Sequence, residues 1–156
     1  MSVLDKIDRS ILEQLLTDGR ASFSNIAKEI GLTDVAIKKR FERLKKKGIL
    51  NAVKADINLK SIGFENIVLL QIRSDLSKQK DIERKLLEMD PVIELTQVLG
   101  EYNLIAKLAL PNLNSAQYAL TRIGLIDGVL EVKSSVVLDQ LKDSFCLPAQ
   151  ALQKTL

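Results

Sequence analysis

The tripeptide Gly31-Leu32-Thr33 constrains this chain more than any other feature, because it leaves room only for a tight turn between two amphipathic helical patterns. Before it, Phe23, Ile26, Ala27 and Ile30 share one face of residues 22–30, and Gly31 supplies the left-handed conformation that ends such a helix. After it, Thr33 offers an oxygen to an orphan amide. Ile37, Phe41 and Leu44 then form the inward stripe of a helix predicted to continue through Lys47. Leu32 is expected to be the buried pivot between the two. An earlier helix, about Lys6 to Asp18, carries Leu4, Ile7, Ile11 and Leu15 at three- and four-residue steps, with Asp5 to cap it and Gly19 to stop it.

Charge is segregated onto this region. Residues 20–54 hold ten Lys or Arg against three Asp or Glu, a net +7, although the whole chain carries only +3. Such a concentration favours a polyanion, whose condensed counterions are released when phosphates are neutralised. The third helix leaves Asp34, Val35, Lys38, Lys39, Glu42, Lys45 and Lys46 on its outward face. Two helices around a glycine turn, the second one cationic, form the helix-turn-helix layout that places its second helix in the major groove. A three-helix bundle with lysines on its solvated face also occurs in proteins that never touch DNA. The Gly-Leu-Thr turn combined with the segregated charge favours the DNA reading. Val35 is suited to apolar contact, for instance with a thymine methyl, whereas Lys38, Lys39 and Arg40 reach phosphates or guanine edges. Arg40 also falls beside the inward face, where an ion pair to another helix is the alternative.

Length and composition narrow the classes. The 156 residues, 46% of them hydrophobic, suffice for one ordinary domain or two small ones. The single cysteine, Cys146, has no intrachain partner, and there is no histidine to join it in a zinc site or a nucleophile pair. No metal, cofactor or catalytic residue is expected. The start, Met1-Ser2-Val3-Leu4-Asp5, leads into no signal-like apolar run, so a cytoplasmic protein is expected.

Beyond Gly48, residues 49–57 read as a strand with partial alternation, a wing or a domain connector. Periodicity is lost over 56–65, where the domain boundary is placed. Then follow a strand, Asn66 to Arg73; a helix, Lys78 to Met89, with Ile82, Lys85, Leu86 and Met89 in register; and strands Val92 to Leu99 and Leu104 to Leu110 around the turn Gly100-Glu101-Tyr102-Asn103. A second helix, about Ser115 to Ile126, and a strand, Val129 to Leu138, complete the order; the tail holds Pro148 and room for one short helix. Asp90-Pro91-Val92-Ile93-Glu94-Leu95 and Asp127-Gly128-Val129-Leu130-Glu131-Val132 enter their strands with the same Val-x-Glu-apolar pattern. Two such halves make a ferredoxin-like βαββαβ sandwich, an antiparallel sheet with both helices on one face. In the first strand, Ile67 and Leu69 beside Val68, Leu70 and Ile72 suggest burial on both faces at its start. This alternating set leaves more apolar surface than two helices hide, so a second copy packed sheet to sheet, a homodimer, is expected.

These residues resemble the Lrp/AsnC family of transcription regulators. The resemblance runs through Leu4-Asp5, Asp8, Ile11-Leu12, Asp18-Gly19-Arg20, Ser22, Ile26-Ala27, Gly31-Leu32-Thr33, Ile37, Arg40-Phe41, Leu44 and Gly48-Ile49, and resumes at Val98 to Asn103. It implies two domains: an all-α winged helix-turn-helix over residues 1–55, a linker over 56–65, and a ferredoxin-like α+β domain over 66–156 that binds an effector and oligomerises. It implies a sequence-specific regulator, dimeric and assembling to tetramers or octamers, that senses an amino acid or related metabolite. The DNA-binding set is then Thr33, Val35, Lys38, Lys39, Arg40 and Arg43. The effector set is Leu99, Gly100, Glu101, Tyr102, Asn103, Ser134 and Ser135, with Asn103 where the family often carries a carboxylate and Ser134-Ser135 where a Thr is usual. On the residues alone a plain hairpin is the preferred reading of the turn. If it holds an amine, Glu101 is its side-chain anion and Asn103 offers a carbonyl oxygen. A weakly specific, chromatin-like DNA-binding protein and the regulatory module of an enzyme are the competing classes.

Overall fold

The structure, a computed structural model, describes residues 4–142 and Leu152 and divides into two compact units, one running to Asp56 and the other from Ile57 to Lys142. Cys146, Pro148 and the expected tail helix lie outside the described residues.

The first unit is built from helices α1 (Lys6–Thr17), α2 (Phe23–Ile30) and α3 (Asp34–Lys46). Each start is set by a side-chain cap. Asp5 accepts from the Asp8 amide at 2.8 Å, Ser22 from Asn25 at 3.1 Å, and Thr33 from Ala36 at 3.3 Å. Gly31, at φ +74°, closes α2 in the left-handed region, where a side chain would be strained. Its neighbour Leu32 sends its amide back to the Ala27 carbonyl at 2.9 Å. The backbone alone makes this turn, so Leu32 is 37% exposed and is not the buried pivot expected of it. The core is Ile11, Leu12, Ile26, Ala27, Ile37 and Leu44, and each large side chain in it contributes about 1.5–3 kcal/mol by leaving water. The Phe23 and Phe41 rings meet at 5.2 Å.

No strand forms over residues 49–57. The amides of Ile49 and Leu50 both turn back to the Leu44 carbonyl, tying the two residues to the end of α3, and residues 51–58 are exposed. β-branched side chains favour extended backbone, but a strand needs a neighbour to take its hydrogen bonds, and none lies beside this segment among the described residues.

The second unit contains β1 (Asn66–Ser74), α4 (Gln79–Leu87), β2 (Val92–Gln97), β3 (Leu104–Leu110), α5 (Leu113–Gly124) and β4 (Val129–Val136), with short 3-10 turns at Lys60–Ile62 and Leu76–Lys78. The sheet is antiparallel in the order β2-β3-β1-β4. The expected repeat is visible in the joints: the Val92 amide donates to Met89 at 2.9 Å and the Val129 amide to Ile126 at 3.0 Å. Ile82 and Leu86 of α4 and Ala116, Ala119 and Ile123 of α5 cover one face, burying Val68, Leu70 and Ile72 against Leu104, Ala106 and Leu108. Lys85, expected in the helical register, is exposed.

β1 is buried on one face only. Ile67 is half-buried and Leu69 is 40% exposed, because they sit on the opposite, uncovered face with Gln71 and Ile105. Val68, Leu70 and Ile72 lie under the helices, so they are not the apolar surplus that a second copy would cover; Leu69 and Ile105 are.

Candidate functional site

Helix α3 separates its cations into two groups. Val35 is 76% exposed near its start, and Lys38 and Lys39 are exposed without a hydrogen bond or ion pair among the described residues. Thr33, at the cap, spends its hydroxyl on the Ala36 amide. Lys45 lies over the Phe41 ring at 5.8 Å. With Asp34 in the first turn and Arg43, Lys45 and Lys46 in the last, both ends also complement the helix dipole.

Arg40 and Arg43 face the other way. The Asp8 carboxylate on α1, its side chain only 3% exposed, receives Arg40 at 3.0 Å and Arg43 at 2.7 Å, and Asp5 receives Arg40 at 2.5 Å and Arg43 at 3.5 Å. Both guanidiniums are therefore engaged in holding α3 against α1, while Arg43 keeps 44% of its side-chain surface exposed. Two aspartates three residues apart meet two arginines three residues apart, so both pairs present one helical face. Burial works to raise the Asp5 pKa, but the hydrogen bond from Arg40, backbone amides of Asp8 and Ile7, and the charge of Arg40 outweigh it and leave it at about 2. The same bond to Asp5 raises Arg40. Sequence reasoning allowed Arg40 an ion pair but missed Asp8 as its buried centre; the matched spacing was the available signal.

The turn between β2 and β3 is closed by the Val98 amide on the Asn103 carbonyl at 2.9 Å. Leu99 and Glu101 are exposed at its tip. A methyl added at Gly100 would meet nothing closer than the Tyr102 carbonyl oxygen at 3.9 Å, so the turn is not sterically closed to a side chain; the constraint is its φ of +157°. Asn103 is not a ligand-facing acceptor. It is buried, its oxygen accepting from the Ser74 amide at 2.9 Å and hydroxyl at 3.1 Å, while its amide donates to the Ser74 carbonyl at 3.2 Å. Ser134 and Ser135 also part company. Ser134 pairs with Leu70 on the helix side and lines a groove with Leu120 and Gly124, whereas Ser135 pairs with Leu69 on the open side.

What the fold gathers beside the turn is Tyr102 with two β4 residues that the sequence did not single out as a site. Lys133 lies 4.4 Å from the Tyr102 ring centroid. The Tyr102 hydroxyl, with the charges of Lys133 and Arg73, holds the Glu131 carboxyl below its usual range. Arg73 pairs with it at 3.2 Å. Among the described residues there is no cluster of three metal-ligating side chains, and no helix is long and apolar enough to cross a membrane.

Comparison with known proteins matches both units. The AsnC-type helix-turn-helix domain corresponds to residues 4–45 and the Lrp/AsnC ligand binding domain to residues 67–146. An HTH-type transcriptional regulator of Methanocaldococcus jannaschii is 33% identical over 94% of this chain and 99% of its own. The regulator LrpA of Pyrococcus horikoshii is 32% identical over 90% of this chain and 100% of its own. Among solved structures, E. coli AsnC superposes with a TM-score of 0.83 at 25% identity, covering 90% of this chain and 96% of that one. A regulator of Neisseria meningitidis, solved in complex with L-Met, superposes with a TM-score of 0.84 over 94% of this chain and 97% of that one; at 21% identity it speaks for the fold alone.

Proposed function

The chain belongs to the Lrp/AsnC family of transcription regulators, and from that premise we propose that α3 reads operator DNA through Val35, Lys38 and Lys39, with Thr33 at its entry. The observation that carries this reading is the division of α3 itself. Arg40 and Arg43 are tied to α1, while Val35, Lys38 and Lys39 stand exposed on the outward side, the two lysines with no ion pair among the described residues. The clamp sets the helix direction, and the free residues supply phosphate and base contacts. The DNA-reading part spans residues 1–55, a linker 56–65, and the effector and assembly part the remainder.

The protein acts as a homodimer, assembling further to a tetramer or octamer, in the cytoplasm where its operator lies. Leu69 and Ile105 on the uncovered sheet face support pairing of two copies. The effector is an amino acid or related metabolite held at the β2–β3 turn, its amine facing Glu101, the turn's exposed anion.

Gel shifts with the protein's own promoter region and with random DNA test the operator reading. If a dimer neutralises on the order of six to eight phosphates, log K falls against log salt with a slope of roughly −5 to −7. A slope near zero refutes DNA binding, and equal affinity for random DNA leaves an architectural protein instead. Calorimetric titration with the twenty amino acids, repeated on Glu101→Ala, tests the effector: heat for one ligand that disappears in the variant supports the site, and flat titrations reduce the turn to a hairpin.

A further inference from the structure

At the opposite end of the sheet from the Gly100–Asn103 turn lies a cavity of about 590 Å³. β3 begins beside that turn at Leu104 and ends in the cavity at Leu110, so roughly 20 Å of strand separates the two places. The cavity floor is apolar and belongs to the core: Met89, Ala109, Leu110 and Ala119 are all buried and all line it. Phe64, ahead of β1, and Pro91, ahead of β2, stand at its wall.

Two opposite charges line the same cavity. Arg122, an exposed residue of α5, has its guanidinium 5.8 Å from the Tyr118 ring centroid, a contact that leaves its charge uncompensated. Asp90, an exposed residue in the joint between α4 and β2, also lines the cavity. Neither makes an ion pair or hydrogen bond with a described side chain, and they do not pair with each other. In the same unit, Arg73, Lys78 and Arg84 all have carboxylate partners. An apolar floor bordered by a few polar groups, in this range of volume, is the composition of a small-molecule site.

We infer that this cavity binds a zwitterion with an apolar body larger than one amino acid, such as a short apolar peptide, its carboxylate on Arg122 and its ammonium on Asp90. A simple carboxylic acid would satisfy Arg122 and bring its charge toward Asp90. A simple amine would do the reverse. A single amino acid satisfies both charges but leaves much of the floor wet. The site is separate from the effector turn and shares no residue with it.

Calorimetric titration of the full chain with leucyl-leucine tests the inference. Saturable heat is expected, and Arg122→Gln and Asp90→Asn should each weaken binding by about tenfold or more, since each removes one charge-assisted contact. Glu101→Ala should leave the titration unchanged, which keeps this result distinct from that for the turn. N-acetyl-leucyl-leucinamide, with neither charge, should give no heat, a control that needs no variant to fold. Both substituted residues are unpaired, so their unfolding midpoints should match that of the parent. Absence of heat with leucyl-leucine, equal binding of the capped peptide, tighter binding of free leucine, or loss of binding in Glu101→Ala overturns it.

Discussion

Replacing Asp8 by Asn removes one charge and almost no volume, which makes it the sharpest perturbation of the clamp between α1 and α3. The side chain is 3% exposed and receives Arg40 at 3.0 Å and Arg43 at 2.7 Å. Breaking a fully buried ion pair from one side costs about 3–5 kcal/mol, chiefly because a charge is stranded. Here the arginines keep 25% and 44% of their side-chain surface in water and retain Asp5, so much of that penalty is recovered by solvation. The expected loss is about 2 kcal/mol, which lowers the melting temperature of a helical unit this small by roughly 8–16 °C. Circular dichroism melts at neutral pH of the parent, Asp8→Asn, Arg43→Gln and the double variant measure it, the double variant losing less than the sum because the partners are coupled. Operator affinity should fall with the salt slope unchanged, since no phosphate contact is removed. A melt within about 2 °C of the parent refutes the clamp, because even a modest buried interaction shifts a domain of this size further.

On the outward face, Val35→Asp and Lys39→Ala should each weaken operator binding in a gel shift while leaving the melting temperature nearly unchanged; both binding like the parent would mean that α3 does not face DNA through this side. Asn103→Ala strips three hydrogen bonds from the buried backbone and hydroxyl of Ser74 and should cost about 1–3 kcal/mol in urea denaturation, a value near zero being incompatible with a buried clip. Asp5 has its folded pKa depressed to about 2 from an ordinary 3.8, so its stabilisation is complete above the higher value and is lost as pH falls toward the lower one. Far-UV circular dichroism against pH should therefore show the parent losing stability through that window and Asp5→Asn, already less stable at neutral pH, changing less there; parallel acid limbs would contradict the assignment.

The features legible in the sequence are those whose physics is local. Asp5, Ser22 and Thr33 cap because each must satisfy an amide a few residues ahead, and Gly31 closes α2 because its own backbone conformation allows it. Residues 49–57 misled because extended propensity is local while strand formation is not; without a ladder partner the alternation of Val53, Ala55 and Ile57 has nothing to pair with. β1 misled for a related reason. Its two alternating sets are both apolar, and a period of two separates them without saying which faces helices; that is decided by Ile82, Leu86, Ala119 and Ile123, far along the chain.

The site residues divide along the same line. Helical phase places Arg40 between Ile37 and Leu44, beside the core stripe, so an ion pair to another helix was written in its position, whereas Asp8 becomes its partner only once α1 packs on α3. Asn103 is the opposite case: its residue type suggested a ligand acceptor, and the fold turned it inward. At Ser74 one amide oxygen accepts the main-chain N–H while the amide nitrogen donates to the main-chain carbonyl, and no carboxylate does both. An Asp at this position would set a second oxygen against the Ser74 carbonyl, so in this chain the amide is matched to the β1 end rather than to a ligand. If the turn holds an amine as proposed, its recognition then falls to the carboxylates that remain beside it. Glu101 is exposed at the tip, and Glu131 is already paired with Arg73 and lies in the field of Lys133, which leaves Glu101 as the anion with a free face. The effector response of this protein should therefore survive Asn103 substitutions that preserve folding, and should not survive Glu101→Ala.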